Sequence, residues 1–194
     1  MGKPLSKMTL TELWELFPIV IVDYDPVWAD WYKQEEISIS KALVLKIIRR
    51  INHIGSTSVP NLSAKPTVDI LLEITQDVDP QPIIKQLHEL GWSVDKKRTL
   101  DSPDLIMLKK GYTPLGYADK VFHLHIRYYG DWDELYFRDY LRNHSDVALE
   151  YAKLKKTLRS RFEHDRDGYT EGKTDFIKQH TYFGRQQFPK RYQP

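Results

Sequence analysis

The sequence predicts an α+β fold in which a mixed β-sheet is flanked by helices and followed by a helical C-terminal third. Three observations predict it. Apolar, β-branched runs with strand character fall within residues 1–130, and helical patterns separate them. Residues 131–183 instead carry apolar side chains at helical spacing. The 194 residues, of which 41% are hydrophobic, suffice for one core, so residues 1–194 are predicted to form a single domain.

The first fifty residues are predicted to contain two helices and a short strand. The pattern Thr9-Leu10-Thr11-Glu12 is typical of a capping box, and it opens a helix that ends near Phe17. Residues 19–22 are apolar and β-branched, which predicts a strand. Asp25-Pro26 then provides a cap and a first-turn proline for a long helix, whose apolar residues recur through Arg50.

The middle of the chain supplies the main strands of the predicted sheet. A Gly-Ser turn at residues 55–58 follows the long helix, and residues 61–64 are predicted to form one helical turn. Residues 68–74 give the best strand pattern in the chain. Asp79-Pro80 starts a helix that ends at Leu90-Gly91. Further strands are predicted at residues 92–95, 105–109 and 121–128.

The C-terminal third is predicted to contain three helices, over residues 131–143, 147–162 and 170–180. Tyr151, Leu154 and Leu158 form an apolar stripe at helical spacing. From Gly184 onward the chain is polar and aromatic, and we expect a loose tail there.

Composition excludes several classes of function. The net charge is only +2, so charge balance gives no support for nucleic-acid binding. The absence of cysteine excludes disulfides, thiolate metal sites and a cysteine nucleophile. No apolar run approaches the roughly 20 residues that span a bilayer, and we see no secretory leader. We therefore expect a cytoplasmic protein without a membrane partner, and its oligomeric state stays open.

The most informative segment is the run His53-Ile54-Gly55-Ser56-Thr57-Ser58-Val59-Pro60. A tight Gly-Ser turn lets backbone N–H groups and hydroxyls face a phosphate, and a following lysine can add positive charge. The run is neither a Walker loop nor a dinucleotide fingerprint, because it lacks their lysine and glycine patterns. An ordinary turn is the alternative interpretation. The candidate phosphate-binding residues here are Gly55, Ser56, Thr57, Ser58 and Lys65.

Asp69 lies inside the apolar strand at residues 68–74, where an unpaired carboxylate is costly, so it needs a partner. His123 and His125 are two residues apart on a strand and therefore share one face. Two imidazoles and a carboxylate are a known ligand set, which makes Asp69, His123 and His125 candidate metal ligands. Asp69 and His125 are the candidate catalytic residues. Alternatively, the histidines face solvent or bind neighbouring groups, or one acts as a general base.

Basic residues of the C-terminal helices are weaker candidates. Arg138 and Arg142 are four apart on one helical face, and arginine suits bidentate phosphate recognition, so Arg138 is a further candidate phosphate-binding residue. Lys155, Arg166 and Lys173 can add charge around a pocket. Solvated helix faces with ion pairs along the helix are the alternative for each of them.

Several of these motifs together resemble the signature of the GrpB family. The closest resemblance lies in the run at residues 53–60, in Ala64-Lys65-Pro66 and in Asp69-Ile70. The other matching segments are Tyr24-Asp25-Pro26, Trp28, Phe122-His123-Leu124-His125, Phe137-Arg138-Asp139-Tyr140-Leu141-Arg142, Tyr151, Leu154-Lys155, Asp165-Arg166, Tyr169, Lys173 and Phe176-Ile177. The resemblance implies the nucleotidyltransferase superfamily, with its polymerase β-like fold. It also implies a phosphate-binding Gly-Ser turn and strand carboxylates that bind magnesium.

We therefore expect a nucleotidyltransferase-like enzyme that binds a nucleotide or another phosphate ligand. Its divalent metal would be Mg²⁺ or Mn²⁺, with Zn²⁺ as an alternative, and His125 would replace the third acid of the superfamily. The position of the second acid is Leu71, and Glu73 lies about 13 Å along the strand from Asp69, too far to share a metal. The alternative is a non-catalytic nucleotide- or cofactor-binding module that has lost transfer chemistry. The sequence does not identify the acceptor.

Overall fold

The computed structural model describes residues 3–95 and 104–194. In this part of the chain the strands form a five-stranded mixed sheet in the order β1-β2-β5-β4-β3. The two central strands β2 and β5 are parallel, and the other neighbours are antiparallel. The strands are β1 (Ile48–Ile54), β2 (Thr67–Ile74), β3 (Ser93–Val94), β4 (Ile106–Thr113) and β5 (Gly116–Tyr128).

Helices precede the sheet, separate two of its strands and fill the C-terminal third, as the sequence predicts. They are α1 (Leu10–Leu16), α2 (Val27–Ala42), α3 (Gln81–Glu89), α4 (Asp133–Asn143), α5 (Ser145–Arg161), α6 (Arg166–Glu171) and α7 (Thr174–Gln187). The capping box of α1 is formed by Thr9 and Glu12 as predicted. None of these helices is both long and apolar enough to traverse a bilayer.

One face of the sheet is closed by the main hydrophobic core. Because side chains alternate along a strand, Val68, Ile70 and Leu72 of β2 point to the same side. Phe122, Leu124 and Ile126 of β5 do the same, and all six pack with buried residues of α2 and α3. A ligand site is therefore confined to the opposite face, which carries the intervening residues of both strands.

That opposite face is covered by the C-terminal helices. Leu71 is fully buried beside Ile54 of β1 and Leu135 of α4. Glu73 is also fully buried, and it accepts hydrogen bonds from the Arg50 guanidinium and from the Gly130 backbone N–H. Glu73 is therefore committed to a structural ion pair, in agreement with its exclusion as a partner of Asp69 in metal binding.

The predicted long helix through Arg50 was wrong beyond Ala42. The backbone becomes extended at Leu43. Residues 48–54 then form β1, which pairs with β2. Isoleucines spaced three residues apart, Ile48, Ile51 and Ile54, fit a helical pattern, but they are β-branched and fit a strand as well. Pairing with the buried strand β2 favours the strand over the helix, and the spacing of apolar residues along the chain does not predict this pairing.

Two smaller predictions were also wrong. Residues 19–22 form no strand, because only Val22 makes a bridge, to Ala64, while Ile19 packs against Leu158 and Tyr169. Residues 61–64 form no helical turn.

The C-terminal tail is ordered by contacts rather than loose. Helix α7 continues to Gln187, and the backbone N–H of Tyr192 donates to the Tyr136 hydroxyl at 3.2 Å. The Tyr192 hydroxyl in turn donates to the Asp139 carboxylate. These bonds anchor the tail to α4.

The buried Arg50–Glu73 pair yields a prediction for stability. Replacing Glu73 with alanine leaves the arginine charge without its partner, so Glu73→Ala should lower the free energy of unfolding by about 3–5 kcal/mol. The exposed i,i+4 pair Arg159–Glu163 gives the matched control, and Glu163→Ala should cost less than about 0.5 kcal/mol. Urea denaturation of both variants measures the difference. Equal losses in the two variants would contradict a structural role for Glu73.

Candidate functional site

The Gly-Ser turn and Asp69 form one structural unit. β1 ends at Ile54, and Gly55 then adopts a φ of 69°, in the left-handed region that favours glycine. A Cβ atom on Gly55 would lie 2.3 Å from Oδ2 of Asp69. The turn therefore approaches the carboxylate closely because residue 55 has no side chain.

The hydroxyls of Thr57 and Ser58 in the Gly-Ser turn make hydrogen bonds within the fold. Thr57 is buried, donates to the Thr67 carbonyl at 3.1 Å and lies 3.0 Å from Nε2 of His53. Ser58 is buried too, and its hydroxyl donates to the Gly55 carbonyl at 2.6 Å. Thr57 and Ser58 thus hold the turn in shape, and their predicted contact with phosphate is not supported by their placement.

A cavity of about 360 Å³ lies between the turn, the polar face of the sheet and the C-terminal helices. We call it the anion cavity. Among the residues predicted from sequence, its lining includes Gly55, Ser56, Lys65, Asp69, His123 and His125. Its remaining charged or phenolic lining residues are Glu134, Lys155, Arg166, Tyr169 and Lys173. The Gly-Ser turn and Asp69 therefore open onto one cavity.

Asp69 is bonded to His123 and still reaches the cavity. Its side chain keeps 28% of its surface exposed, and its Oδ1 lies 3.0 Å from Nδ1 of His123. Burial acts to raise the pKa of the Asp69 carboxyl, but the hydrogen bond from His123 and the nearby imidazoles outweigh it, so the pKa is lowered. Asp69 is accordingly ionised at neutral pH.

His123 is held neutral between two partners. Burial lowers the pKa of its imidazole, and this effect exceeds the opposing influence of Asp69. An ionised carboxylate only accepts hydrogen bonds, so Nδ1–H of His123 donates to Asp69. Nε2 is then an acceptor, and it lies 2.7 Å from the hydroxyl of Tyr112, which donates to it. The result is a continuous chain from Tyr112 through His123 to Asp69.

His125 belongs to a second pair. Its Nδ1 lies 2.8 Å from Oδ2 of Asp104, and Arg127 also donates to Asp104 while it binds Glu134. Burial acts to lower the pKa of the His125 imidazole, but the Asp104 carboxylate outweighs it, so the pKa is raised. The two histidines of β5 therefore face one cavity with pKa shifts of opposite sign, because each has a different carboxylate environment.

The predicted metal ligands do not converge in this arrangement. His123 is engaged by Asp69, whereas His125 is engaged by Asp104. Within residues 3–95 and 104–194, no group of three or more His, Cys, Asp or Glu side chains is placed to hold a metal ion. The observed donor set thus does not fit a protein-bound divalent cation, and binding of Mg²⁺, Mn²⁺ or Zn²⁺ by Asp69, His123 and His125 stays a prediction.

Positive charge enters the anion cavity from the loop before β2 and from the C-terminal helices. Burial lowers the pKa of the Lys65 and Lys155 ammonium groups to about 7 and that of Lys173 to about 8. Lys155 donates to the Ser63 carbonyl at 2.5 Å. By contrast, Lys65, Arg166 and Lys173 form no ion pair with a carboxylate in the part of the chain that the structure describes. These three cations are available to an anionic ligand.

Arg138, also predicted to bind phosphate, lies outside the anion cavity. Its guanidinium donates to Asp139 and Asn52, to the backbone carbonyl of His53 and to the Tyr192 hydroxyl. It joins α4 to β1 and to the C-terminal tail. This correction has a simple cause, since the Arg138 guanidinium is used up by contacts with β1 and the tail, whereas Arg142, one turn further along α4, reaches the turn and donates to the Ser58 carbonyl.

Sequence reasoning missed Asp104, Tyr112 and Glu134. Asp104 precedes β4 in an irregular segment that carries no periodic signal, and the predicted strand ended at residue 109, before Tyr112. Only the order of strands in the sheet explains why Asp104 and Tyr112 lie near the two histidines, because β4 lies beside β5.

The fold and the cavity define the class of this protein: an α+β protein whose mixed sheet carries a Gly-Ser turn and a strand carboxylate at a cavity lined with cations. The family model for the GrpB protein matches residues 18–182. The chain belongs to the GrpB family.

Known relatives agree with this assignment. A UPF0157 protein of Pseudomonas aeruginosa is 36% identical over 160 residues, which cover 82% of this chain and 64% of that protein. The UPF0157 protein YqkA of Bacillus subtilis is 30% identical over 175 residues, covering 87% of this chain and 49% of YqkA. This chain thus spans less than two thirds of either relative.

A solved structure extends the comparison to the fold. The crystal structure of the conserved protein GrpB from Enterococcus faecalis matches with a TM-score of 0.75 and 27% sequence identity. The match covers 87% of this chain and 99% of that chain.

The contact between Gly55 and Asp69 predicts a specific cost of substitution. Gly55→Ala combines left-handed strain with a Cβ atom too close to the carboxylate, and it should lower the free energy of unfolding by about 2–4 kcal/mol. Gly91→Ala is the matched control, because Gly91 has a φ of 86° but its Cβ would lie 3.7 Å from its nearest neighbour. Gly91→Ala should cost about 1 kcal/mol. Urea denaturation compares them, and an equal cost would contradict the proposed close contact.

The buried lysines predict how stability depends on pH. In the unfolded chain Lys65, Lys155 and Lys173 keep their protons up to a pKa of 10.5, but in the folded protein they lose them from about 7 or 8. The unfolded state thus binds more protons above about pH 7, so the free energy of unfolding should rise between about pH 7 and about pH 9.

Urea denaturation at several pH values tests this dependence. Lys65→Met should reduce the slope of stability against pH by about one proton, whereas Lys153→Met, an exposed position on α5, should leave it unchanged. A stability that stays flat or falls over this range in the unmodified chain would show that the lysines are not desolvated.

Proposed function

We propose that this chain binds a phosphate-bearing small molecule in the anion cavity and that a nucleotide is the best candidate. The observation that carries the proposal is the placement of Lys65, Arg166 and Lys173, without carboxylate partners in the described residues, around the Gly-Ser turn. Lysine and arginine in this state bind phosphate oxygens through charge-assisted hydrogen bonds.

Charge and burial favour an anion over a neutral ligand. The lysines lose part of their charge on folding because the cavity removes them from water. A bound phosphate stabilises the protonated form and so recovers this cost. Ligand binding should therefore be accompanied by proton uptake, and it should be tighter below about pH 7 than above pH 8.

The turn contributes the second part of the proposed site. Gly55 and Ser56 line the anion cavity, and the missing side chain at residue 55 lets the turn lie against Asp69, so that the turn and the carboxylate border the ligand space together. Asp69 lies beside the turn as a negative charge, but its hydrogen bond with His123 reduces its repulsion toward a phosphate.

Nucleotidyl transfer to an unidentified acceptor is the second candidate function. Membership of the GrpB family and the ionised, partly exposed carboxylate of Asp69 favour it. Leu71, buried in an apolar cluster where the superfamily pattern has its second acid, favours a binding module without transfer chemistry. Binding is the function that the geometry supports most directly.

Isothermal titration calorimetry with inorganic tripolyphosphate tests the proposal. We expect binding that weakens by about 10-fold or more in Lys65→Met and in Lys173→Met, because each loses one charge-assisted contact. Lys153→Met, the exposed control, should bind as the unmodified chain does. Absence of binding at millimolar tripolyphosphate, or equal weakening in the control, would overturn the proposal.

A parallel assay separates binding from transfer. Nucleoside triphosphates with Mg²⁺, Mn²⁺ or Zn²⁺ are monitored for pyrophosphate release in the unmodified chain and in Asp69→Asn. Metal-dependent release that Asp69→Asn abolishes supports the transferase, whereas binding that is indifferent to a chelator, without release, supports the module.

A further inference from the structure

A second cavity, of about 470 Å³, adjoins the anion cavity. We call it the aromatic cavity. It is enclosed by the N-terminal segment and by β3, β4 and β5, and its volume falls within the roughly 300–1,000 Å³ typical of small-molecule sites. Its lining residues are Leu5, Ser6, Met8, Leu10, Leu13, Trp14, Phe17, Lys65, Ser93, Val94, Asp95, Lys109, Tyr112, Tyr117 and Arg166.

Helix α1 turns its apolar side chains toward this cavity instead of a packed core. Leu10, Leu13 and Trp14 line the space, and no residue of α1 is buried. Leu10 keeps 40% of its surface exposed, and Val94 on the opposite wall keeps 47%. These side chains give the aromatic cavity an apolar wall, of the kind that a planar apolar group packs against.

One wall of the aromatic cavity is a cluster of three rings. Phe17 lies 4.9 Å from Tyr112 and 5.0 Å from Tyr117, and the two tyrosines are 5.5 Å apart, measured between ring centroids. Tyr117 is fixed further, because its hydroxyl donates to the Phe17 carbonyl. Rigid aromatic walls suit planar rings, which stack on them.

The two cavities share charged residues and a hydrogen bond. Lys65 and Arg166 line both of them. Tyr112 belongs to the aromatic wall, and its hydroxyl donates to His123, which binds Asp69. A single ligand can therefore place an anionic end in the anion cavity and a planar apolar end against Tyr112 and Tyr117.

We infer that the aromatic cavity receives the nucleoside part of a nucleotide whose phosphates occupy the anion cavity. The inference rests on the proposed function and adds to it the position of the base. Lys65, whose ammonium lies 4.8 Å from the ring centroid of Tyr117, marks the junction between phosphate and nucleoside. Neither the turn nor Asp69 lines the aromatic cavity, so apart from Lys65 and Arg166 the base and the phosphates contact different residues.

Calorimetry with two probes tests the inference. Each of the four common ribonucleoside triphosphates is compared with inorganic tripolyphosphate, which carries the charge but has no nucleoside. At least one nucleotide should bind about 10-fold or more tightly than tripolyphosphate, because stacking adds to the phosphate contacts. Equal affinity of tripolyphosphate and all four nucleotides would overturn the inference and leave the proposed function intact. Absence of binding by both probes would overturn the proposed function and the inference with it.

A variant that fills the cavity makes the test specific to this place in the fold. Leu13→Trp should remove the advantage of the nucleotide while tripolyphosphate binds unchanged. Thr11→Trp adds the same side chain to the exposed side of α1 and should retain the advantage. Val94→Trp repeats the test from the opposite wall if Leu13→Trp does not fold. A nucleotide advantage that persists in the folded filling variant would place the base elsewhere and overturn the inference.

Discussion

The contact between Gly55 and Asp69 is the constraint on which the rest of the site depends. Ile54 is paired with Asp69 across the antiparallel β1–β2 ladder, and Asp69 is paired with His123 across the parallel β2–β5 ladder. These two registers bring the turn, the carboxylate and the imidazole to one place on one face of the sheet. A slip of one residue in β2 would send Asp69 into the apolar core on the other face, and a slip of one residue in β5 would do the same to His123. The hydrophobic core and the candidate site therefore require the same register of these strands.

Local pattern predicted the parts of this arrangement that depend on one strand or one turn. β2 and the face shared by His123 and His125 both follow from spacing along the chain. The partner of His125 does not, because Asp104 is brought to it by the β4–β5 pairing from an irregular segment. Arg138 shows the same limit, since charge at i,i+4 spacing marks a helix face without revealing what that face packs against.

The balance of burial and charge links the fold to the proposed ligand. The cavity keeps Asp69 ionised and His123 neutral, and it weakens the hold of Lys65 and Lys173 on their protons. An arrangement of this kind costs stability in the free protein, because within the described residues these cations have lost water without forming an ion pair with a carboxylate. Under the proposed function, a polyanion supplies the counter-charge, and stability of the free protein is exchanged for affinity.

The packing of Leu71 bears on how the charge of a bound phosphate would be neutralised. Leu71 is enclosed by Ile54 and Leu135, so it is part of the contact that seats α4 on the sheet. An acid at this position would place an unpaired carboxylate in an apolar cluster and would weaken that contact. The apolar side chain at residue 71 and the docking of α4 are thus one feature of this chain. In place of such an acid, cations from the C-terminal helices lie around the cavity, and under the proposed function Arg166 and Lys173, together with Lys65, carry the compensation that paired acids and metal ions provide in two-metal enzymes.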